Sequence, residues 1–206
     1  FTGAAMLWVG WFGFNAGSAL AANASAAMAM TVTHVAAAVA ALTWTSIELI
    51  RYKKATLVGG VTGLVAGLAS VTPASGFIGP MGAVVIGLVA GCVCFWFVSF
   101  VKQRLKLDDS LDVFAIHGVG GILGTILVSY LATAAFGGLG EAPGISAFDQ
   151  LKVQLTALVT VGAWTVVLTT IILKGISGVE ALRVRVESER EGLDITQHGE
   201  KGYDYY

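Results

Sequence analysis

Charged residues are scarce in this sequence, with 12 lysines and arginines and 13 aspartates and glutamates among 206 residues. Average soluble domains carry about 25% charged residues, so this chain lacks the polar surface that water requires. A formal net charge of −1 also leaves no basic footprint for nucleic acid. Apolar residues make up 56% of the chain, which indicates a polytopic membrane protein.

Cysteines and clusters of reactive side chains are scarce as well. The two cysteines, Cys92 and Cys94, stand close together within one apolar run. Side chains at this spacing point to different sides of a helix, which favours free thiols in the core over a disulfide or a metal site. No motif resembles a metal-ligand cluster, a phosphate-binding loop or a nucleophile beside its base. We therefore expect no cofactor and no enzymatic activity.

Six apolar segments predict membrane-spanning helices, because about 20 apolar residues cross a bilayer. They occupy residues 2–22, 24–50, 56–71, 79–101, 111–135 and 151–173. The third is short and rich in glycine, so we expect it to be buried among its neighbours. The sequence thus predicts an all-α, polytopic membrane bundle over residues 1–177 and a charged tail over residues 178–206. Since the chain begins at Phe1, inside an apolar segment and without methionine, we expect it to be part of a longer protein.

Lysine and arginine lie almost entirely on one side of this six-helix zigzag. Of the 12 basic residues, only Lys152 falls on the other side. Cytoplasmic loops of membrane proteins carry the excess of basic residues. The sequence therefore predicts that the basic side and the tail are cytoplasmic, so that the first and fifth helices both run from inside to outside.

Glycines recur at intervals of four residues in several predicted helices. Such spacing lets helix backbones touch in lipid, where the hydrophobic effect does not drive helices together. We interpret these glycines as packing positions. They are Gly13 with Gly17, Gly59 with Gly63 and Gly67, Gly87 with Gly91, and Gly120 with Gly124.

The first predicted helix carries a mixed aromatic and polar face. Its members recur at helical spacing and are Trp11, Phe14, Asn15 and Ser18. An aromatic stripe alone is typical of packing. Rings beside an amide and a hydroxyl instead resemble the lining of a site for a small cation, since ring faces attract cations and oxygens accept hydrogen bonds. Both interpretations stay open at this point.

His117 lies in a glycine-rich segment that has no charged residue between Val113 and Ala135. An ionisable side chain in a membrane helix is costly and indicates a functional site. If Ser110 caps this helix, His117 lies about 10 Å above the cap, at about 1.5 Å per residue. Asp112 would then stand in the first turn, where the helix dipole favours negative charge. Its interpretation stays divided between a capping or tethering carboxylate and a role in holding the helices of a pore.

Three other side chains rank lower as functional candidates. We expect His34, in the outer half of the second helix, to be a buried and hydrogen-bonded core residue. Trp44 and Glu48, one turn apart at the inner end of the same helix, are typical of an anchor at the membrane interface.

Four segments resemble the ammonium transporter family, also called Amt/MEP and related to the Rh proteins. They follow the family's order and extend over the whole chain, and the last is typical of the prokaryotic Amt branch. They are Trp11-Phe-Gly-Phe-Asn-Ala-Gly-Ser18, Val71-Thr-Pro-Ala-Ser-Gly76, Asp112-Val-Phe-Ala-Ile-His-Gly-Val-Gly-Gly121, and Glu189-Arg-Glu-Gly-Leu-Asp194 followed by His198-Gly-Glu200.

The resemblance implies that the six helices correspond to the last six of about eleven, in a homotrimer with one pore per subunit. It implies that Ser18 belongs to an outer ammonium-recruitment site and that Phe14 is one of two stacked rings that close the pore. Trp11 would bind substrate and line the pore beneath that ring, and His117 would be one of two paired pore histidines. The expected structural residues near the pore are Asp112 and Asn15.

The function that the resemblance implies is ammonium transport across the inner membrane, with methylammonium as a further substrate. Ammonium would be recruited outside, deprotonated and conducted through an apolar pore. A PII-type nitrogen-regulatory protein would bind at the cytoplasmic face. An ammonium sensor and an Rh-like channel for neutral gas stay as alternatives, and the tail motif argues against the second.

Overall fold

The computed structural model describes residues 1–140 and 145–203, and every regular element in those residues is helical. A short helix, α7 (Val186–Glu191), lies in the charged tail, and π-turns over Phe100–Arg104 and Phe114–Gly118 flank two of the long helices. The predicted all-α architecture is confirmed. The long helices are α1 (Thr2–Gly17), α2 (Ala24–Tyr52), α3 (Leu57–Val71), α4 (Pro80–Ser99), α5 (Val119–Leu131) and α6 (Ala147–Ser177).

Five helical segments of the described residues, rather than six, are long and apolar enough to cross a membrane. The first predicted span is the exception, because α1 has 16 residues and ends at Gly17, short of residue 22. Beyond α1 the chain turns, and Leu20 adopts a left-handed backbone conformation with φ of 55°. The five segments are Ala24–Tyr52, Leu57–Ala74, Pro80–Arg104, Phe114–Leu131 and Ala147–Ser177.

Glycine contacts hold α3 against α2, and α4 against α2. Nine of the 15 residues of α3 are buried, which confirms that this segment lies among its neighbours. A Cβ added at Gly67 would lie 2.5 Å from the carbonyl oxygen of Ala36 and 2.7 Å from the Cβ of Ala40. One added at Gly91 would lie 2.7 Å from the Cβ of Thr43. Both sites therefore need glycine for the helices to approach this closely.

Gly13 and Gly17 do not share this role within the described residues. A Cβ added at either glycine would meet no atom within 4 Å. Almost all of α1 is exposed or half-buried, and Asn15 is its one buried residue. The expected packing through this glycine pair is therefore not met by the part of the chain that the structure describes.

Trp44 and Glu48 are buried, so the prediction of an interface anchor is wrong. The indole of Trp44 packs edge-on against Phe95, with ring centroids 5.1 Å apart. The carboxylate of Glu48 accepts the backbone N–H of Thr56 at 2.7 Å and its hydroxyl at 3.0 Å. Since Thr56 is the N-cap of α3, Glu48 places negative charge where the dipole of that helix favours it.

His34 also differs from its prediction, because its side chain is exposed rather than buried. The imidazole stacks on Trp8 with 5.0 Å between ring centroids and 18° between ring planes. The two cysteines are free as expected, although only Cys94 is buried and Cys92 is exposed. The imidazole of His34 on α2 and the thiol of Cys92 on α4 thus lie at the surface, where the sequence predicts core residues.

Residues Val159–Tyr206 form a compact unit of their own, and Phe1–Leu158 form the other. No residue of α6 is buried. In the tail, Arg183 Nε lies 2.6 Å from Glu189 Oε1, an exposed ion pair next to α7. The division into a membrane region over 1–177 and a tail over 178–206 stays a prediction.

Candidate functional site

His117 lies in the π-turn Phe114–Gly118, directly before α5. Asp109 caps this turn, since its carboxylate accepts the backbone N–H groups of Val113 at 2.8 Å and Phe114 at 2.9 Å. The hydroxyl of Ser110 donates to Asp108 instead, at 3.3 Å. The predicted cap at Ser110 is therefore wrong, and the helix begins later than expected.

The later start changes the depth of His117 and the role of Asp112. His117 follows Val113 by four residues, so it lies only about 6 Å along the helix. Asp112 precedes the helix instead of standing in its first turn, with a left-handed φ of 58°. Its carboxylate lies 2.8 Å from Lys102 Nζ. Asp112 thus ties the entry of the helix to the π-turn Phe100–Arg104, which extends α4.

The imidazole of His117 stacks on the indole of Trp11. Their ring centroids are 6.2 Å apart and their planes differ by 12°. Phe14 meets Trp11 edge-on, with centroids 6.2 Å apart and an interplanar angle of 76°. The structure thus brings together three of the predicted pore residues, two from α1 and one from the start of the fifth span.

Trp11 is fixed by a hydrogen bond from the edge of its indole ring. Its Nε1–H donates to the hydroxyl of Thr72 at 2.8 Å, and that hydroxyl donates to the carbonyl of Leu68 at 2.7 Å. The indole therefore has a defined orientation and has no free donor for a ligand. What it offers to a ligand is its ring face.

Asn15 does not share the site of the aromatic residues. Only 4% of its surface is exposed, and its amide nitrogen donates to Thr33 at 2.9 Å. Thr33 in turn donates to the carbonyl of Ala29 at 2.6 Å. Asn15 therefore joins α1 to α2, and of the two open interpretations of this face, packing applies to its amide.

Phe14 and Ser18 lie towards the end of α1 and face outward. Phe14 is 64% exposed. The hydroxyl of Ser18, also exposed, donates to the carbonyl of Phe14 at 2.8 Å. A hydroxyl oxygen that donates its proton keeps lone pairs for a cationic ligand. Ring and oxygen are therefore close together at this end of the helix.

Two open grooves meet at His117. The groove on the α1 side is apolar and aromatic, and its lining is Gly3, Met6, Leu7, Gly10, Trp11, Phe14 and His117. The other groove carries two carboxylates, and its lining is Val101, Leu107, Asp108, Asp109, Val113, Phe114, His117 and Gly118. Neither lining contains lysine or arginine among the described residues, so both grooves are compatible with a cation. Within residues 1–140 and 145–203, no three His, Cys, Asp or Glu side chains converge as metal ligands.

Four residues that shape this site were not singled out in the sequence. Thr72 and Thr33 orient the side chains of α1, whereas Asp109 and Lys102 fix the segment before His117. Only Asp109 has a local signal, because aspartate is a common N-cap. The other three act over long sequence separations, for which a single sequence has no pattern.

A profile of the Ammonium Transporter Family matches residues 1–203. The ammonium transporter Amt1 of Archaeoglobus fulgidus is 46% identical over 202 residues, which cover 98% of this chain and 51% of that protein. The ammonium transporter of Bacillus subtilis is 40% identical over 205 residues, covering 98% of this chain and 50% of that protein. The chain thus spans about half the length of the curated relatives it matches.

Solved structures of Amt and Mep proteins share the fold of this chain. One described as "Sensor Amt Protein" superposes with a TM-score of 0.86 and 31% identity, over 95% of this chain and 48% of its own. Mep2 of Saccharomyces cerevisiae superposes with a TM-score of 0.78 and 36% identity, over 90% of this chain and 45% of its own. The arrangement of the helices is therefore that of Amt and Mep proteins.

Proposed function

The chain belongs to the ammonium transporter family, and on this premise we propose that it forms one wall of an ammonium pathway across the membrane. The observation that carries the proposal is the stack of Trp11 on His117 at the point where two grooves meet. An apolar, aromatic groove on one side and a carboxylate-lined groove on the other give a cation two approaches to one imidazole.

Recruitment of ammonium takes place at the end of α1. The exposed ring of Phe14 and the neighbouring ring of Trp11 attract a small cation through their π faces. The oxygen of Ser18, whose proton is engaged by the Phe14 carbonyl, accepts a hydrogen bond from ammonium. Methylammonium carries the same charge and three N–H donors, so it fits the same contacts.

Passage beyond Trp11 requires the substrate to lose water. Moving a charge into an apolar environment is costly, so ammonium gives its proton to water at the outer site and neutral ammonia passes. The proton crosses separately, along hydrogen bonds that pass His117, and rejoins ammonia on the far side, so that net charge moves with each ammonium. Sodium has no neutral form, which gives the pathway its selectivity. His117 supplies hydrogen bonds to ammonia where the two grooves meet, because the stack uses its ring face and leaves its two nitrogens at the edge.

Asp112 and Asn15 support this pathway without contacting the substrate. Asp112 holds the entry of the helix that carries His117 through its ion pair with Lys102. Asn15 fixes α1 against α2 through Thr33. Both are positioning residues. Their contacts with Lys102 and Thr33 hold the aromatic rings of α1 and the imidazole of His117 next to each other.

The orientation of the protein in the membrane is proposed from the distribution of lysine and arginine. In the predicted zigzag, eleven of the 12 basic residues fall on one side or in the tail, which favours a cytoplasmic location of that side in the inner membrane. The assembly that we propose is the homotrimer implied by the family resemblance. The tail, with charges of both signs around α7, is suited to contact a PII-type regulatory protein.

Charge movement tests the proposal. The protein, as its complete gene encodes it, is placed in liposomes on a solid-supported membrane, and an ammonium pulse is applied. The parent should give a current that His117→Ala abolishes. His34→Ala is a matched control, since His34 also stacks on a tryptophan of α1, and it should keep the current. Loss of current in both variants, or in neither, would contradict the role of His117.

A sensor is the second candidate function, and the superposition on the structure described as "Sensor Amt Protein" favours it. A sensor binds ammonium and reports through its tail without carrying it. Binding measured by calorimetry in the absence of any current would refute electrogenic transport and would support the sensor or a channel for neutral gas.

A further inference from the structure

A cavity of about 240 Å³ lies near the carboxyl end of α5, between that helix, the start of α6 and the 3-10 turn Thr72–Ala74. Pro73 and Phe77 form apolar walls, and Ser129 borders the cavity from α5. All of its described lining residues belong to the unit Phe1–Leu158, and we call it the α5–α6 cavity. Because an apolar cavity of about 150 Å³ accommodates benzene, this one has room for a molecule of roughly six to ten heavy atoms.

Backbone contacts fix the walls of the α5–α6 cavity. The N–H of Gly140 donates to the carbonyl of Ala132 at 2.8 Å, which ties the loop after α5 to the end of that helix. A Cβ added at Gly124 would lie 2.8 Å from Pro73 Cγ, so α5 packs closely on the turn that follows α3. The walls are therefore in place without a ligand, as in most sites for small molecules.

Ser129 brings an unpaired hydroxyl to this cavity. Only 2% of its surface is exposed, and its Oγ has no hydrogen-bond partner among the described residues. Thr125, one turn earlier in α5, donates its hydroxyl to the carbonyl of Gly121 at 2.8 Å, a common arrangement for a hydroxyl in a helix. Since a buried polar group without a partner is costly, Ser129 indicates that a molecule in the cavity supplies one.

Two glutamines line the same cavity from α6. Gln150 and Gln154 are one helical turn apart, and both are half-buried. Among the described residues, the side-chain hydrogen bonds at the start of α6 join Ser146, Asp149 and Lys152 and leave both carboxamides available. Each carboxamide offers one acceptor oxygen and two N–H donors. The described lining contains no charged side chain, so the cavity favours a neutral ligand that both donates and accepts hydrogen bonds.

We propose that the α5–α6 cavity binds a small neutral molecule that carries a carboxamide group on an apolar body. A carboxamide presents an acceptor and two donors in one plane, so it pairs with a glutamine carboxamide and with the Ser129 hydroxyl at once. An alcohol has a single donor and would pair with fewer of these groups. The apolar body packs against Pro73 and Phe77. Among the described residues, the cavity shares no lining residue with the two grooves at His117, so the proposal does not depend on the proposed transport function.

Ligand-observed NMR titration of the complete protein in nanodiscs tests the proposal, with protein-free nanodiscs as the blank. The probe is isobutyramide, and its matched probes are methyl isopropyl ketone, in which a methyl group replaces the amide nitrogen, and the ions isobutyrate and isobutyramidinium. Isobutyramide should bind with a Kd of roughly 1–10 mM, the range open to a ligand of this size. The ketone should bind about fivefold more weakly because it lacks donors, and both ions should bind more weakly still. No saturable binding of isobutyramide, equal affinities for the amide and the ketone, or tighter binding of either ion would overturn the proposal.

Variants on two helices locate the bound molecule. Ser129→Ala should weaken isobutyramide binding about fivefold, the effect of one lost hydrogen bond, and Gln154→Leu should do the same from α6. Thr125→Val is the matched control, since it removes a hydroxyl of α5 that bonds within its own helix and is not part of the described lining. It should leave the affinity at the parent value. Unchanged affinity in Ser129→Ala or in Gln154→Leu, or an equal loss in Thr125→Val, would overturn the proposal.

Thermal unfolding without the probe separates a ligand site from a structural hydroxyl. Ser129→Ala should not lower the unfolding midpoint, because the hydroxyl has no partner to lose among the described residues. A lowered midpoint would show that another part of the complete protein pairs with Ser129, and it would overturn the proposal.

Discussion

The rings of Trp11 and His117 lie nearly parallel, with 12° between their planes and 6.2 Å between their centroids. The contact joins α1 to the start of the fifth span and uses the faces of both rings. The donor of Trp11 is engaged by Thr72, whereas His117 forms no hydrogen bond with the described residues. The imidazole nitrogens are therefore the polar groups that this contact leaves for a ligand.

Thr72→Val should lower transport while the protein still folds. The substitution removes the acceptor of the Trp11 N–H, and an unsatisfied buried donor costs about 1–3 kcal/mol. The indole will then leave its orientation against His117. Methylammonium uptake into liposomes measures the effect, for which we expect a fall of roughly tenfold.

Thr62→Val is the control for this substitution. Its hydroxyl donates only to the carbonyl of Val58 in its own helix, so uptake should stay close to the parent value. Equal uptake by Thr72→Val and the parent would show that the Trp11–Thr72 bond does not orient the ring.

Asp109→Ala should destabilise the protein more than Ser110→Ala. Asp109 accepts two backbone N–H groups at the start of the His117 helix, and loss of a helix N-cap costs about 0.5–2 kcal/mol. Ser110 caps no helix, and a surface substitution of this kind changes stability by less than about 0.5 kcal/mol. Thermal unfolding in detergent compares them, and the reverse order would restore Ser110 as the cap.

Asp112→Ala should be more destabilising than Asp112→Asn. Both variants lose the ion pair with Lys102, which contributes at most about 1 kcal/mol at a partly exposed site. Alanine also has to adopt the left-handed backbone of residue 112, which costs roughly 1–2 kcal/mol, whereas asparagine tolerates it.

Unfolding midpoints of both variants check this order. Asp149→Asn serves as the control, because Asp149 forms an exposed pair with Lys152 and has no left-handed backbone. A similar loss of stability in all three variants would mean that backbone conformation at Asp112 has no part in the effect.

Gly67→Ala should destabilise the bundle by about 1–3 kcal/mol, the usual cost of overpacking a core. The added methyl group would lie 2.5 Å from the carbonyl oxygen of Ala36 and would push α3 away from α2. Gly175→Ala meets nothing within 4 Å in α6 and should not destabilise. Unfolding midpoints of the two variants give the comparison, and identical values would contradict the close approach of α3 and α2.

His117→Glu distinguishes two roles of the imidazole. We expect this variant to carry ammonium-dependent current, because a carboxylate at this position keeps the site polar between the two grooves. A strict proton relay through imidazole would not survive the change. Current on a solid-supported membrane is again the measurement, and its complete loss would favour the relay.

The helices were predictable because their signals are local. Long apolar runs indicate five of the spans, whereas the direction of the zigzag, which rests on the basic residues, stays a prediction. Gly67 and Gly91 were recognisable as packing positions from spacing alone. The end of the first helix was misplaced because its apolar run continues to residue 22, whereas the helix ends at Gly17. An apolar composition does not distinguish a helix from the turn that follows it.

The site was only partly predictable, because its geometry depends on contacts between distant segments. The sequence identified Trp11 and His117 as candidates, but it could not predict that their rings stack on each other. Asn15 lies at helical spacing from Trp11 and Ser18, which leaves packing and a ligand site both open, and its bond to Thr33 on α2 could not be read from the sequence. Ser110 and Asp109 are adjacent candidate caps, and only the backbone path decides between them.

The π-turn at Phe114–Gly118 holds one more residue than an α-turn would. The number of residues between Asp112 and α5 therefore matters as much as their identity. Removing one of them would let the turn close as a regular α-turn and would rotate His117 by about 100° relative to α5, since each residue of an α-helix turns by that angle. The imidazole would then face away from Trp11 although every side chain of the site was still present.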